Sequence, residues 1–287
     1  MGRYLNFLGL VFGLVLGQTS AALATSYDFT TIDVPSAPFS ETLGINNVGE
    51  IVGAYGSAGP EHGFLLTRGS FSTIDVPGVV ATNANAAGIN NRGDIVGEYL
   101  DGAHYHGYLL SDSGFTIINF PGASDTFARG INTAGQIVGQ YVNADGSSHG
   151  FLLSGGTFTT VDVPGGTGTV AYGINASGQI VGVVYDAGAV PSAFVRDRDD
   201  TFTTITFPGA AATYGFAINT AGDIVGMYQI SAGGPSHGYV LAASGFDTVD
   251  VPGATIGAAH GINSKRQIVG YFEAEGKRHG FIAVPGH

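Results

Sequence analysis

Phe71-Ser72-Thr73-Ile74-Asp75-Val76-Pro77 is one of six near copies of a single block, the others starting at Phe29, Phe115, Phe158, Phe202 and Phe246. Successive copies lie 42, 44, 43, 44 and 44 residues apart. Between copies three further blocks follow in fixed order, as in Gly88-Ile89-Asn90, then Asp94-Ile95-Val96-Gly97-Glu98-Tyr99, then His106-Gly107-Tyr108-Leu109-Leu110. Each block is short, β-branched or aromatic, and bounded by Gly, Asn or Ser, which predicts four strands per unit and no helix.

The turn between the second and third blocks carries its own signature. Asn46 precedes Gly49 by three residues, and the spacing returns at Asn90, Asn132, Asn175 and Asn219. Asn at the first turn position can accept from its own backbone two residues on, and Gly at the fourth can take a positive φ. Asn263 keeps the first position but is followed by Arg266 in place of Gly. That turn is expected to be slightly strained or of another type.

A repeat of about 44 residues with four strands is the size of one propeller blade. The phase of the repeat sharpens this. The chain begins with the block that ends each unit and finishes with His279-Gly280-Phe281-Ile282. Residues 29–35 can therefore supply the outer strand to the last blade and remove an open edge. The fold class is all-β, a six-bladed propeller of four-stranded blades in one domain over 25–287. A β-solenoid is the alternative.

The run Gly-Ile-Asn-x-x-Gly-x-Ile-Val-Gly followed by His-Gly-Phe resembles the extracellular HAF repeat family, named for a His-Ala-Phe block. The likeness spans essentially the whole chain after residue 24. Gly stands where the family has Ala, and Leu-Leu follows the aromatic residue. The resemblance implies a secreted bacterial repeat protein without an assigned activity.

Composition agrees with an ordered, extracytoplasmic chain. Among 287 residues there are 48 Gly, no Cys and no Trp, and charged residues are 11% of the total, where about 25% is usual. Burial of both blade faces explains the scarcity of charge. The formal charge of −12 disfavours nucleic acid as a partner. Arg3, the apolar run Tyr4 to Leu16 and Ala22-Leu23-Ala24 read as a signal peptide over 1–24. Its apolar run is shorter than the roughly 20 residues of a membrane span. A periplasmic or extracellular monomer with no membrane span after cleavage is expected.

Repeated polar residues are read as structural. His62, His106, His149, His237 and His279 occupy one position per blade, too dispersed for one metal ion, and are expected to bond a neighbouring turn or blade. Asp33, Asp75, Asp162 and Asp250 receive the same reading. Calcium is left open at isolated turns such as Asp145-Gly146, although no loop matches an EF-hand spacing, while Glu273 with Glu275 and the charged run Arg196-Asp197-Arg198-Asp199-Asp200 are read as solvated turns, with a partner contact or bound-ion site as the alternative for the run. No cysteine, Gly-x-Ser-x-Gly elbow or P-loop is present. No catalytic residue, metal or cofactor is assigned.

Function is better sought where the copies differ. One slot before each Ile-Asn pair holds Leu43, Ala87, Arg129, Tyr172, Phe216 and His260, if aligned by the residue ahead of Gly or Ala. On an innermost strand this slot lies near one mouth of the central channel. Arg129, Tyr172, Phe216 and His260 would then form a candidate site for a sugar or small anionic ligand, extended by Tyr214, Asp125 and Phe127 in the connecting loops. The alternative for these four is gap filling between blades. A secreted binding or surface-interaction propeller for a glycan or cell-envelope component is expected. A hydrolase or lyase at the channel mouth and a structural matrix protein are the rival readings.

Overall fold

The computed structural model describes residues 26–56, 61–79 and 84–286. The expected signal peptide lies outside them. Six four-stranded antiparallel sheets stand around a central axis as the blades of a propeller. Blade 1 runs from the axis outward as Phe39–Ile45, Ile51–Gly56, Glu61–Thr67 and Ser70–Ile74. The innermost strands of blades 2 to 6 are Asn85–Ile89, Asp125–Ile131, Gly168–Ile174, Ala212–Ile218 and Ile256–Ile262.

The phase of the repeat has the expected consequence. Tyr27–Ile32 pairs antiparallel with Lys277–Pro285, from Tyr27 opposite Pro285 to Ile32 opposite Gly280, and becomes the outer strand of blade 6. Between blades the core is built from the repeated aliphatic and aromatic positions. One such layer joins Val52 of blade 1 to Ala86, Ile89 and Tyr108 of blade 2.

At one end of the axis the six turn asparagines form a closed ring. The side-chain amide of Asn46 donates to Asn90 O, Asn90 to Asn132 O, Asn132 to Asn175 O, Asn175 to Asn219 O, Asn219 to Asn263 O, and Asn263 back to Asn46 O, at 3.1–3.3 Å. Within its own turn, Asn175 Oδ1 accepts from Ser177 N and Gln179 N, both at 3.0 Å, while Nδ2 also donates to Gln179 Oε1 at 2.8 Å. Each asparagine thus shapes its hairpin and ties its blade to the next. Asn175→Ala removes four such bonds and leaves buried acceptors and donors unpaired. An expected loss of about 3 kcal/mol is checked by denaturant unfolding, and a change under about 0.5 kcal/mol would contradict the role.

The sixth turn keeps its type despite the missing glycine. Arg266 N donates to Asn263 O at 3.1 Å, as Gly178 N does to Asn175 O at 3.0 Å. Arg266 accepts a left-handed φ of 58°, and its guanidinium reaches blade 5 with Nε and Nη2 each 2.8 Å from an oxygen of Asp223. Burial alone would raise the Asp223 carboxyl, but Arg266 and Asn219 hold it below the ordinary aspartate value. A depressed carboxyl contributes stability above its unfolded pKa of about 3.9, and loses it as pH falls through the folded value. Arg266→Gly relieves the backbone yet unpairs a buried carboxylate. A net loss of about 1–2 kcal/mol at neutral pH, shrinking in acid below about pH 4, is expected in paired thermal melts.

Candidate functional site

The variable slot is a β-bulge in every blade. Pairing of the innermost strand with its neighbour shifts register between Thr42 and Gly44, Ala86 and Gly88, Ala128 and Gly130, Ala171 and Gly173, Gly215 and Ala217, and Ala259 and Gly261. The skipped residues are Leu43, Ala87, Arg129, Tyr172, Phe216 and His260. A bulge residue lacks a ladder partner and is re-aimed relative to its strand. Here all six line the walls of the axial space.

Three adjoining cavities follow the axis. Two of about 100 Å³ are lined by the asparagine and isoleucine rings and by the bulges. The third, about 270 Å³, opens at the mouth opposite the asparagine ring, where Glu41, Asn85, Met227, Tyr271 and Arg278 join the bulge residues. Arg129, Tyr172, Phe216 and His260 therefore share one cavity.

Blades 4 to 6 give this cavity an aromatic wall. Tyr172 meets Phe216 edge-on at 5.0 Å and 77°, and Phe216 stacks on His260 at 4.5 Å and 15°. His260 in turn lies 5.6 Å from Tyr271, whose face carries the Arg278 guanidinium at 4.3 Å. Burial, with Arg278 and Arg129 nearby, lowers the His260 pKa to about 3. The imidazole is neutral at physiological pH.

Both arginines are already engaged. Arg129 Nη1 donates to Glu98 Oε1 at 2.6 Å, and Asn85 Nδ2 donates to the same oxygen at 2.7 Å. Burial raises the Glu98 carboxyl, against the pull of Arg129 and Asn85. Glu98 Oε2, Asn85 Oδ1 and Arg129 Nε are buried without hydrogen-bond partners among the described residues. Arg278 donates to Glu41 at 3.0 Å and Glu273 at 3.2 Å. Burial raises the Glu41 carboxyl too, with Arg278 opposing.

Other candidates are distributed differently from the sequence expectation. Asp125, Phe127 and Tyr214 sit on innermost strands, not in connecting loops. Asp125 accepts from Tyr105 N at 2.8 Å, Phe127 packs on Tyr105 at 4.9 Å, and Tyr214 on Phe216 at 6.2 Å. None of the three lines the cavity. The repeated histidines bond within their own blade, not across to another. His62 pairs with Asp75, His149 with Asp162, His237 with Asp250 and His279 with Asp33, at 2.6–2.8 Å, and His106 with Asn119 at 2.8 Å. The repeated Asp is thus the partner of the repeated His, and blade 4 replaces both, with Ser192 and Thr206. The charged run closes on itself through an Arg196–Asp200 pair, and Asp145 accepts from Ser147 N at 2.9 Å. No cluster of three or more His, Asp or Glu suited to a metal occurs among the described residues.

No family-level profile matches the chain, and no curated protein matches it. Solved structures with similar folds include virginiamycin B lyase from Staphylococcus aureus, at 10% identity and TM-score 0.54 over 90% of this chain and 100% of that one. TolB from Acinetobacter baumannii follows at 13% and 0.55, over 83% and 64%. The six-bladed fucose-recognising lectin of Aleuria aurantia follows at 12% and 0.52, over 84% and 91%. At these identities the likeness concerns the fold.

Proposed function

We propose that the protein is a secreted, non-catalytic binding or surface-interaction propeller whose ligand, a glycan or cell-envelope component, enters the axial cavity. The carrying observation is that the residues breaking the repeat are aimed by six bulges into one cavity. A lectin among the structures of like fold supports a glycan as ligand class, while the leader over 1–24 and the resemblance to HAF repeat proteins support secretion.

The lyase with a similar fold keeps a catalytic reading in view. General acid–base work requires a titratable group within reach of the reacting atoms and suitably poised. His260 instead packs between Phe216 and Tyr271, and Glu41 and Glu98 are each held by an arginine. These contacts favour binding over proton transfer. A glycan array probed with the mature chain tests the reading. At least one component should bind, and Phe216→Ala should weaken it about tenfold through loss of the apolar wall and of the packing that holds Tyr172 and His260. Silence across the array, or equal binding by the variant, would overturn it.

A further inference from the structure

We propose that the occupant of the axial cavity is a single uncharged, polyhydroxylated ring of hexose size, packed beside the aromatic wall and hydrogen-bonded by Tyr172 and His260. This rests on the reading of the cavity as a binding site and narrows its ligand. The sequence alone admitted both a sugar and a small anionic ligand. The geometry separates them.

Charge is the first discriminator. The cavity holds two guanidinium groups, and each already faces carboxylate: Arg129 on Glu98, Arg278 on Glu41 and Glu273. An anion would have to draw an arginine away from its partner and strand a buried carboxylate, an exchange with an unfavourable balance. It would also approach Glu41, which lines the same space. A cation gains little either, because Glu41, the one of these carboxylates that lines the cavity, already faces Arg278. A neutral guest disturbs none of these pairs.

Free hydrogen-bonding capacity is the second. The Tyr172 hydroxyl and the His260 ring nitrogens make no hydrogen bond to another described residue, and neither is sealed among the buried unpartnered atoms. Both groups line the cavity. A phenol and a neutral imidazole each offer a donor and an acceptor, which is what hydroxyl groups match. The Phe216 ring between them is buried with one face on His260, and it gives the guest an apolar wall to pack beside, not a free stacking face. At about 270 Å³ the space falls just below the range of drug-sized pockets, roughly 300–1,000 Å³. One ring fits that volume; an extended chain must continue outside the mouth.

Calorimetric titration of the mature chain with methyl glycosides of neutral hexoses and, separately, with hexuronates provides the test. A neutral glycoside should bind, with affinity unchanged between about pH 5 and 8 because His260 stays neutral there. Tyr172→Phe, which keeps the ring and the fold, should weaken it about tenfold. Preferential binding of hexuronates would overturn the neutral class while leaving the cavity as a site. Binding of neutral glycosides that ignores both Tyr172→Phe and Phe216→Ala would move the site elsewhere and overturn both readings. Failure of every monosaccharide, with an array component still lost in Phe216→Ala, would overturn the single-ring ligand alone.

Discussion

Removal of residues 27–33 is expected to convert the protein from a closed ring into an unfolded or self-associating chain. That strand pairs with Lys277–Pro285 along its whole length. Phe29 meets Phe281 edge-on at 5.6 Å, Ile32 is buried, and Asp33 pairs with His279 at 2.8 Å. Losing ladder hydrogen bonds at about 1 kcal/mol each and the burial of Phe29 and Ile32 at about 2 kcal/mol each amounts to a deficit on the order of 5 kcal/mol or more. That is comparable to the whole stability of many domains. The exposed edge of Lys277–Pro285 would carry Phe281, Ile282 and Val284 beside unpaired backbone groups, a template for adding another chain. Size-exclusion chromatography with light scattering should show oligomers or loss of soluble protein. A synthetic peptide covering 26–34 should reverse that association by supplying the strand in trans. A truncated chain with the oligomeric state and melting temperature of the intact chain would refute the closure as a source of stability.

The same closure shows why so much of the fold was legible. Every strand and turn is written six times, so a local ambiguity in one copy is resolved by the others, and only the phase of the first and last blocks was needed to pair the termini. The bulge slot was legible for the opposite reason. Arg129, Tyr172, Phe216 and His260 differ where their neighbours Gly or Ala, Ile and Asn do not. Glu98, Met227 and Tyr271 were missed, although they occupy a second variable position, directly after each Ile-Val-Gly. Arg278 was missed at a third, just ahead of the repeated His. Variation alone could have flagged them. What it could not supply is which face of the second and third strands turns toward the axis, because that depends on the bulge and the stagger of adjacent blades. The charge balance was out of reach for the same reason. Arg129 and Glu98 come from different blades, and only their 2.6 Å contact removes the arginine from the anion-binding role its chemistry suggests.

The glycines of the Ile-Val-Gly block carry the most severe point substitution. A Cβ on Gly139 would lie 2.7 Å from Phe151 Cε1 and closer still to Phe127 O. The carbonyl cannot move away, because Phe127 pairs with Gln140 in a strand whose next residues form the Arg129 bulge. Nor can the ring, since Phe151 is fully buried. Gly53, Gly97, Gly182, Gly226 and Gly270 meet the same obstruction in the other blades, so the requirement belongs to the blade and not to one site. Gly139→Ala should therefore cost at least about 4 kcal/mol, beyond the usual overpacking penalty of roughly 1–3 kcal/mol, because backbone and core ring must both shift. It should also displace Arg129 and perturb the cavity. Gly168→Ala is the matched comparison. A Cβ there finds its nearest neighbour at 3.7 Å, an ordinary contact, and should change stability by no more than about 0.5 kcal/mol. Denaturant unfolding of the two variants separates steric need from glycine's flexibility. A Gly139→Ala cost as small as the roughly 0.5 kcal/mol expected for Gly168→Ala would mean that the aromatic ring and the bulge yield far more readily than their burial implies.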